Sequence, residues 1–266
     1  MHYGDSLKNF RIYGKKPYSV VVVHGGPGMP GSVAPVAREI SKDTGVLELL
    51  ETRDSVEGQI AELAEVLQTH AEVPAILIGH SWGAVLSYMT TARYPALVKK
   101  LIIIGMPALE MKDRPDYTPI WLSRLPEKER VELTTLQSFV WSGKEGDKSE
   151  AMGKLFRLMA RADSYAFASN KDETLEYQHG INMSVGSEFH KILRTKELLN
   201  TGGKIKCPVV AIHGDYDLRL ASVVEGPLSA GIHDFKLVLL EKCGHYPWME
   251  RHARDKFFEV VRKEIE

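Results

Sequence analysis

Four short segments carry side chains that could do covalent chemistry. The first is Gly79-His80-Ser81-Trp82-Gly83, a G-x-S-x-G sequence between the apolar run Ala75 to Gly79 and a helical pattern from Gly83 to Arg93. On a tight strand-to-helix turn a serine is lifted clear, with the next helix's N-terminus aimed at its Oγ. Side chains on either flank would collide, so glycines are required there. That setting makes Ser81 the expected nucleophile. Outside it, a serine in such a pentapeptide would only shape a turn.

The second segment, His24-Gly25-Gly26-Pro27-Gly28, follows the run Tyr18 to His24. Acyl transfer needs donors aimed at a developing oxyanion, usually two backbone N–H groups. The expected pair is Trp82 N–H, next to the nucleophile, and Gly26 N–H. His24 is expected to hold the loop rather than to react. The third segment is Ile212-His213-Gly214-Asp215-Tyr216-Asp217. A carboxylate must hold the imidazole tautomer and stabilise the imidazolium that forms. Asp217 is favoured, because a position a few residues beyond a strand can reach the histidine, and Asp215 is assigned to the turn. The fourth, Cys243-Gly244-His245-Tyr246-Pro247-Trp248, puts His245 on a loop as general base. Ser81, Asp217 and His245 follow the chain order known for such a triad behind a G-x-S-x-G turn.

A rival reading uses the same glycines. Gly26-Pro27-Gly28-Met29-Pro30-Gly31 fits G-x-G-x-x-G, with Glu48 and Glu51 downstream, the outline of a dinucleotide site. Pro27 and Pro30 lack the N–H groups that a pyrophosphate needs, and the serine turn would go unexplained. No H-E-x-x-H is present, and His179 and His190 are isolated. No metal and no cofactor are therefore expected. Cys207 and Cys243 fit no zinc spacing and read as buried free thiols.

These residues need a frame. Apolar, β-branched runs at Tyr18 to His24, Val46 to Leu50, Ala75 to Gly79, Lys100 to Gly105, Val209 to His213 and Lys236 to Leu240 predict buried strands. Asn9 to Tyr13 is a candidate edge strand. Helical patterns cover Ser32 to Ser41, Ser55 to His70, Gly83 to Arg93 and Arg251 to Glu264. The clearest has Ile60, Leu63, Ala64 and Leu67 on one face. Alternating strands and helices predict an α/β fold with a mostly parallel sheet. Residues 109–204 break the alternation with helical patterns at Glu127 to Val140 and Glu150 to Ala162, and with many aromatics. They read as a helical cap on a core formed by residues 1–108 and 205–266.

The 266 residues carry a formal charge of −1, with 44% hydrophobic and 26% charged residues. That balance lacks the basic footprint of a nucleic-acid binder, and no apolar run is long enough for a membrane span. Met1 to Asp5 has no leader pattern, so a cytoplasmic protein is expected. The near-neutral charge gives no indication of substrate sign.

The four segments together resemble the α/β-hydrolase superfamily over nearly the whole chain. The HGGPG loop at 24–28 and GHSWG at 79–83 look most like its proline iminopeptidase branch. The resemblance implies Ser81, Asp217 and His245 as triad, Gly26 and Trp82 as oxyanion hole, a helical cap, and no cofactor. Two features depart from that branch. The Asp-Arg-Gly turn after the second buried strand is missing from Glu48 to Ser55, and the glutamates that bind a substrate amine have only weak echoes at Phe139-Val140-Trp141 and Ser187-Glu188-Phe189. The expected activity is hydrolysis of a small ester or amide through an acyl-enzyme. The aromatic cap predicts an apolar pocket and a partly hydrophobic small-molecule substrate. An N-terminal prolyl aminopeptidase, a carbon–carbon bond hydrolase and a non-catalytic ligand-binding protein on the same fold remain alternatives, and oligomeric state is left open.

Overall fold

The computed structural model describes residues 9–142, 148–168 and 176–266; the Met1 to Asp5 segment read for a leader lies outside them. Along the chain come β1 (Phe10–Tyr13), β2 (Tyr18–Val23), α1 (Ala34–Ile40), β3 (Gly45–Leu49), α2 (Val56–His70), β4 (Ala75–His80), α3 (Trp82–Arg93) and β5 (Val98–Ile104). Among the described residues, five α-helices follow: α4 (Thr118–Arg124), α5 (Glu127–Val140), α6 (Ser149–Ala162), α7 (His179–Ile192) and α8 (Glu197–Thr201). The sheet resumes with β6 (Val209–Gly214), α9 (Ala221–Gly231), β7 (Phe235–Leu240) and α10 (Arg254–Ile265).

The strands form one sheet in the order β1-β3-β2-β4-β5-β6-β7. All neighbours are parallel except β1, which pairs antiparallel with β3. Successive side chains in a strand point to opposite faces, and the core divides accordingly. Val20, Val22, Ile76, Ile78, Ile102 and Ile104 join one apolar cluster, which includes α1, α10 and residues of α4 to α6. Val21, Val23, Leu77, Leu101 and Ile103 join another, with α2, α3 and α7 to α9. Burial on both faces explains why these strands read as unbroken apolar runs. Ser55 caps α2 by accepting from Gly58 N at 3.2 Å.

The order also places the site. From β2 the chain steps to β3 on one side and then returns to β4 on the other. A crevice forms where the direction of winding reverses, beyond the carboxyl ends of the strands. Both the loop after β2 and the turn after β4 open into it.

Residues 163–168, just after α6, run beside 244–251. His245 N donates to Asp163 O at 3.1 Å, Ala168 N to Met249 O at 2.7 Å and Arg251 N to Ala166 O at 2.9 Å. Buried Glu250 reinforces this seam. Its two carboxylate oxygens accept from Tyr165 N, Ala166 N and Gly244 N at 2.7, 2.8 and 2.7 Å. Glu250→Ala should therefore cost about 3 kcal/mol of stability, read as a lower urea midpoint, because three backbone donors, among them buried Gly244 N, lose a charged acceptor. A midpoint unchanged from the parent protein would show that the seam holds without it.

Candidate active site

Ser81 sits at the end of β4 with φ 54° and ψ −115°, a strained conformation for a non-glycine residue. The elbow is held by close backbone contacts. A Cβ on Gly79 would lie 2.2 Å from Gly83 O, and one on Gly83 would lie 2.3 Å from Val23 O. Only glycine fits at either flank. Ser81 N donates to Ile104 O at 2.9 Å, which sets the turn beside the end of β5. Trp82 opens α3, so its N–H has no intrahelical acceptor. Its indole is buried, donates to Gln59 Oε1 at 2.9 Å and meets Phe189 edge-on at 5.2 Å.

The loop after β2 carries Gly26 exposed at the crevice with φ 123°. Beneath it, His24 Nδ1 donates to Gly25 O at 2.8 Å, and His24 Nε2 lies 3.2 Å from Glu51 Oε2. Burial pushes His24 down to about 4 and raises Glu51 well above the usual carboxylate range. Burial thus disfavours the charged form of both groups. His24 and Glu51 lie under the loop and do not face the crevice.

His245 Nδ1 donates to Asp217 Oδ2 at 2.7 Å, and both side chains are buried. This pair packs flush against the end of β5. A Cβ on Gly105, whose φ is 53°, would lie 2.8 Å from His245 Nδ1 and 3.4 Å from Asp217 Oδ2. His80, in the elbow, secures the same loop: its Nε2 donates to His245 O at 3.0 Å, and its ring packs on His245, Tyr246 and Trp248. Asp215 takes a different place, its Oδ1 accepting from Cys243 N at 3.1 Å.

Arg219 is an essential part of this arrangement that the sequence reading did not single out. Asp217 Oδ1 accepts from Arg219 N at 2.9 Å and from Arg219 Nη1 at 3.1 Å. The same Nη1 donates to Asp163 Oδ2 at 3.1 Å, and Asp163 Oδ1 accepts from Trp121 Nε1 at 2.7 Å. His213 Nε2 donates to Arg219 O and pins the loop. Burial alone would raise the Asp217 carboxyl; the charges of His245 and Arg219 outweigh it and hold the group well below its ordinary value. Burial likewise opposes the Arg219 charge, and Asp163 and Asp217 more than restore it. Residues from α4, the end of α6 and the loop after β6 thus share one buried ion network.

Ser81, Trp82 and Gly26 line a cleft of about 580 Å³ with Pro107, Trp141 and Phe189, and with several residues of α7. The expected apolar pocket differs from what is found, since Arg114, His190, Lys191, Arg194 and Arg219 also line it. Most cap aromatics are used in packing instead: Phe156 meets Tyr246 edge-on and Trp121 reaches Asp163. The structure therefore groups Ser81, Gly26 and Trp82 at the cleft, with the Asp217–His245 pair packed beside the elbow.

Arg219→Gln should cost about 3 kcal/mol, because it leaves two buried carboxylates without their cation. Asp217 is held below its unfolded value of about 3.9. The stability that its charge supplies is therefore present above about pH 4 and is lost as pH falls further. Urea midpoints of the two proteins should converge on acidification; a constant gap down to acid pH would contradict the ionic origin.

Comparison with known proteins agrees with this architecture. VinJ, of known structure, is 17% identical, with a TM-score of 0.66 over 96% of this chain and 93% of its own. E-2-(Acetamidomethylene)succinate hydrolase is 18% identical, with a TM-score of 0.65 over 96% and 94%. At such identities the likeness establishes the fold. Epoxide hydrolase 4 of Mus musculus is 33% identical over 48 residues, 18% of this chain and only 13% of that relative's length. The Hydrolase_4 family, described as serine aminopeptidase, S33, matches residues 49–252. With a seven-stranded sheet of this order and a family match over most of its length, the chain belongs to the Hydrolase_4 family of α/β hydrolases.

Proposed function

We propose that the chain is a serine hydrolase that cleaves a small ester or amide through an acyl-enzyme on Ser81. The carrying observation is the buried Asp217–His245 hydrogen bond of 2.7 Å, packed against Gly105 beside the strand end that bears Ser81. With Nδ1–H given to Asp217, the basic nitrogen of His245 is Nε2. That nitrogen takes the Ser81 proton as Oγ bonds to the substrate carbonyl carbon. Trp82 N–H and Gly26 N–H receive the oxyanion. His245 then returns the proton to the leaving group as its bond to carbon breaks. Water repeats the cycle and frees the acid. Asp217 stays ionised throughout, as its depressed proton affinity favours.

The family description also raises an aminopeptidase reading. That activity requires a carboxylate near Ser81 to hold the substrate's free ammonium group. Among the described residues, no aspartate or glutamate lines the cleft, and several cations do. An ammonium substrate would meet like charge there, so the ester or non-amine amide reading is favoured.

Ser81→Ala and Asp217→Asn should each lower kcat/KM on a short-chain aryl ester by at least about 10⁴-fold. A fluorophosphonate should add once, at Ser81, by peptide mass spectrometry. Prolyl anilide should show no Ser81-dependent cleavage. Undiminished esterase activity in Ser81→Ala would sink the nucleophile assignment, and brisk Ser81-dependent anilide cleavage would restore the aminopeptidase.

A further inference from the structure

The sign of charge around Ser81 is unusual for this chain. Lys and Arg number 34 against 35 acids, yet the cleft is lined by Arg114, Lys191, Arg194 and Arg219 without one carboxylate among the described residues. Arg219 is matched by Asp163 and Asp217. The other three have no carboxylate within ion-pairing distance among the described residues. Their fields overlap: His190, also in the wall, is pushed down by burial first and then by Arg114 and Arg194.

Arg114 is the least exposed of the three. Its guanidinium carbon lies 5.6 Å from the centre of the Phe189 ring and 5.9 Å from that of Tyr117. Both rings lie within cation–π range of the guanidinium. Its Nη1 is buried and has no hydrogen-bond partner among the described residues. A charged donor withdrawn from water and left unmet is costly, and an arriving oxyanion can offset that cost. The guanidinium fork matches a carboxylate or phosphate edge in both spacing and charge. Lys191, on α7, and Arg194, just past its end, are exposed at the same cleft.

We propose that the cleft selects substrates bearing an oxyanionic group, a carboxylate or a phosphate. Arg114 holds that group, supported by Lys191 and Arg194, while the acyl carbon lies at Ser81. The assignment of substrate class rests on the serine-hydrolase reading; the cationic site itself does not.

Matched esters test it. p-Nitrophenyl hydrogen adipate is compared with its methyl ester, which places the anion on the acyl side. 4-Butyryloxybenzoate and 4-butyryloxyphenyl phosphate are compared with methyl 4-butyryloxybenzoate, which places it on the leaving group. On at least one side the anionic member should show a kcat/KM about tenfold higher or more, and the preference should shrink as salt rises. Arg114→Gln should reduce the anionic-to-neutral ratio, and so should the exposed-site variants Lys191→Gln and Arg194→Gln, which keep the fold in play. Lys112→Gln, a paired charge outside the cleft, should leave the ratio alone. In parallel, Ser81→Ala is titrated calorimetrically with adipate and with hexyl phosphate, which separates the two anion sources. An equal or inverted preference in every comparison overturns the proposal and leaves the hydrolase standing. If no ester is turned over, the titration decides. Binding that Arg114→Gln removes supports the cationic site while the hydrolase reading falls, and no binding overturns the site as well.

Discussion

Asp217 has two oxygens, and the molecule uses them for two purposes. Oδ2 orients His245, while Oδ1 is bound by Arg219, which also reaches Asp163 at the end of α6. The carboxylate that would tune the base is thus also the carboxylate that ties the loop after β6 to the helices between β5 and β6. A buried ion network of this kind is sensitive to the loss of any member, since the remaining charges have no water to turn to. Geometry at His245 and seating of the cap are therefore coupled. A change at Asp163 or Trp121, remote in sequence from the histidine, acts on the same pair.

The surrounding contacts act together in the same way. Glu250 draws three backbone N–H groups onto one carboxylate, and one of them belongs to Gly244, next to His245. His80 holds the His245 carbonyl from inside the elbow. The imidazole loop is fixed from the cap side, from the elbow and from β5, which leaves little freedom for the ring. Preorganisation of this kind limits the reorganisation needed when charge develops at a reacting group.

The charged groups near the site divide by sign. The hydrogen-bonded acids near the site, Asp163, Asp217 and Glu250, all lie inside the packing and are spent on structure. Arg114, Lys191 and Arg194, which pair with no carboxylate among the described residues, line the cleft. A chain that is nearly neutral overall thereby presents one sign of charge where a substrate would enter. Low-dielectric walls strengthen such a field relative to open solvent.

The sequence by itself determined the parallel sheet, because strands buried on both faces must be apolar throughout. It also determined α2, through its apolar stripe and Ser55 cap, and it singled out Ser81, Asp217 and His245, because a tight turn and chain order leave local marks. Four helices escaped it, the short α4 and α8 and the longer α7 and α9. In α7 the glycines Gly180 and Gly186 weaken local propensity, and in α9 Gly226 and Pro227 interrupt it; both form because tertiary packing of Val185, Phe189, Val224 and Leu228 outweighs local preference. Only the tertiary structure decided the character of the cleft. Arg114, the Lys191–Arg194 stretch and Arg219 come from three separate segments, and no local pattern records which charges are matched by a buried acid and which are left to line the cleft.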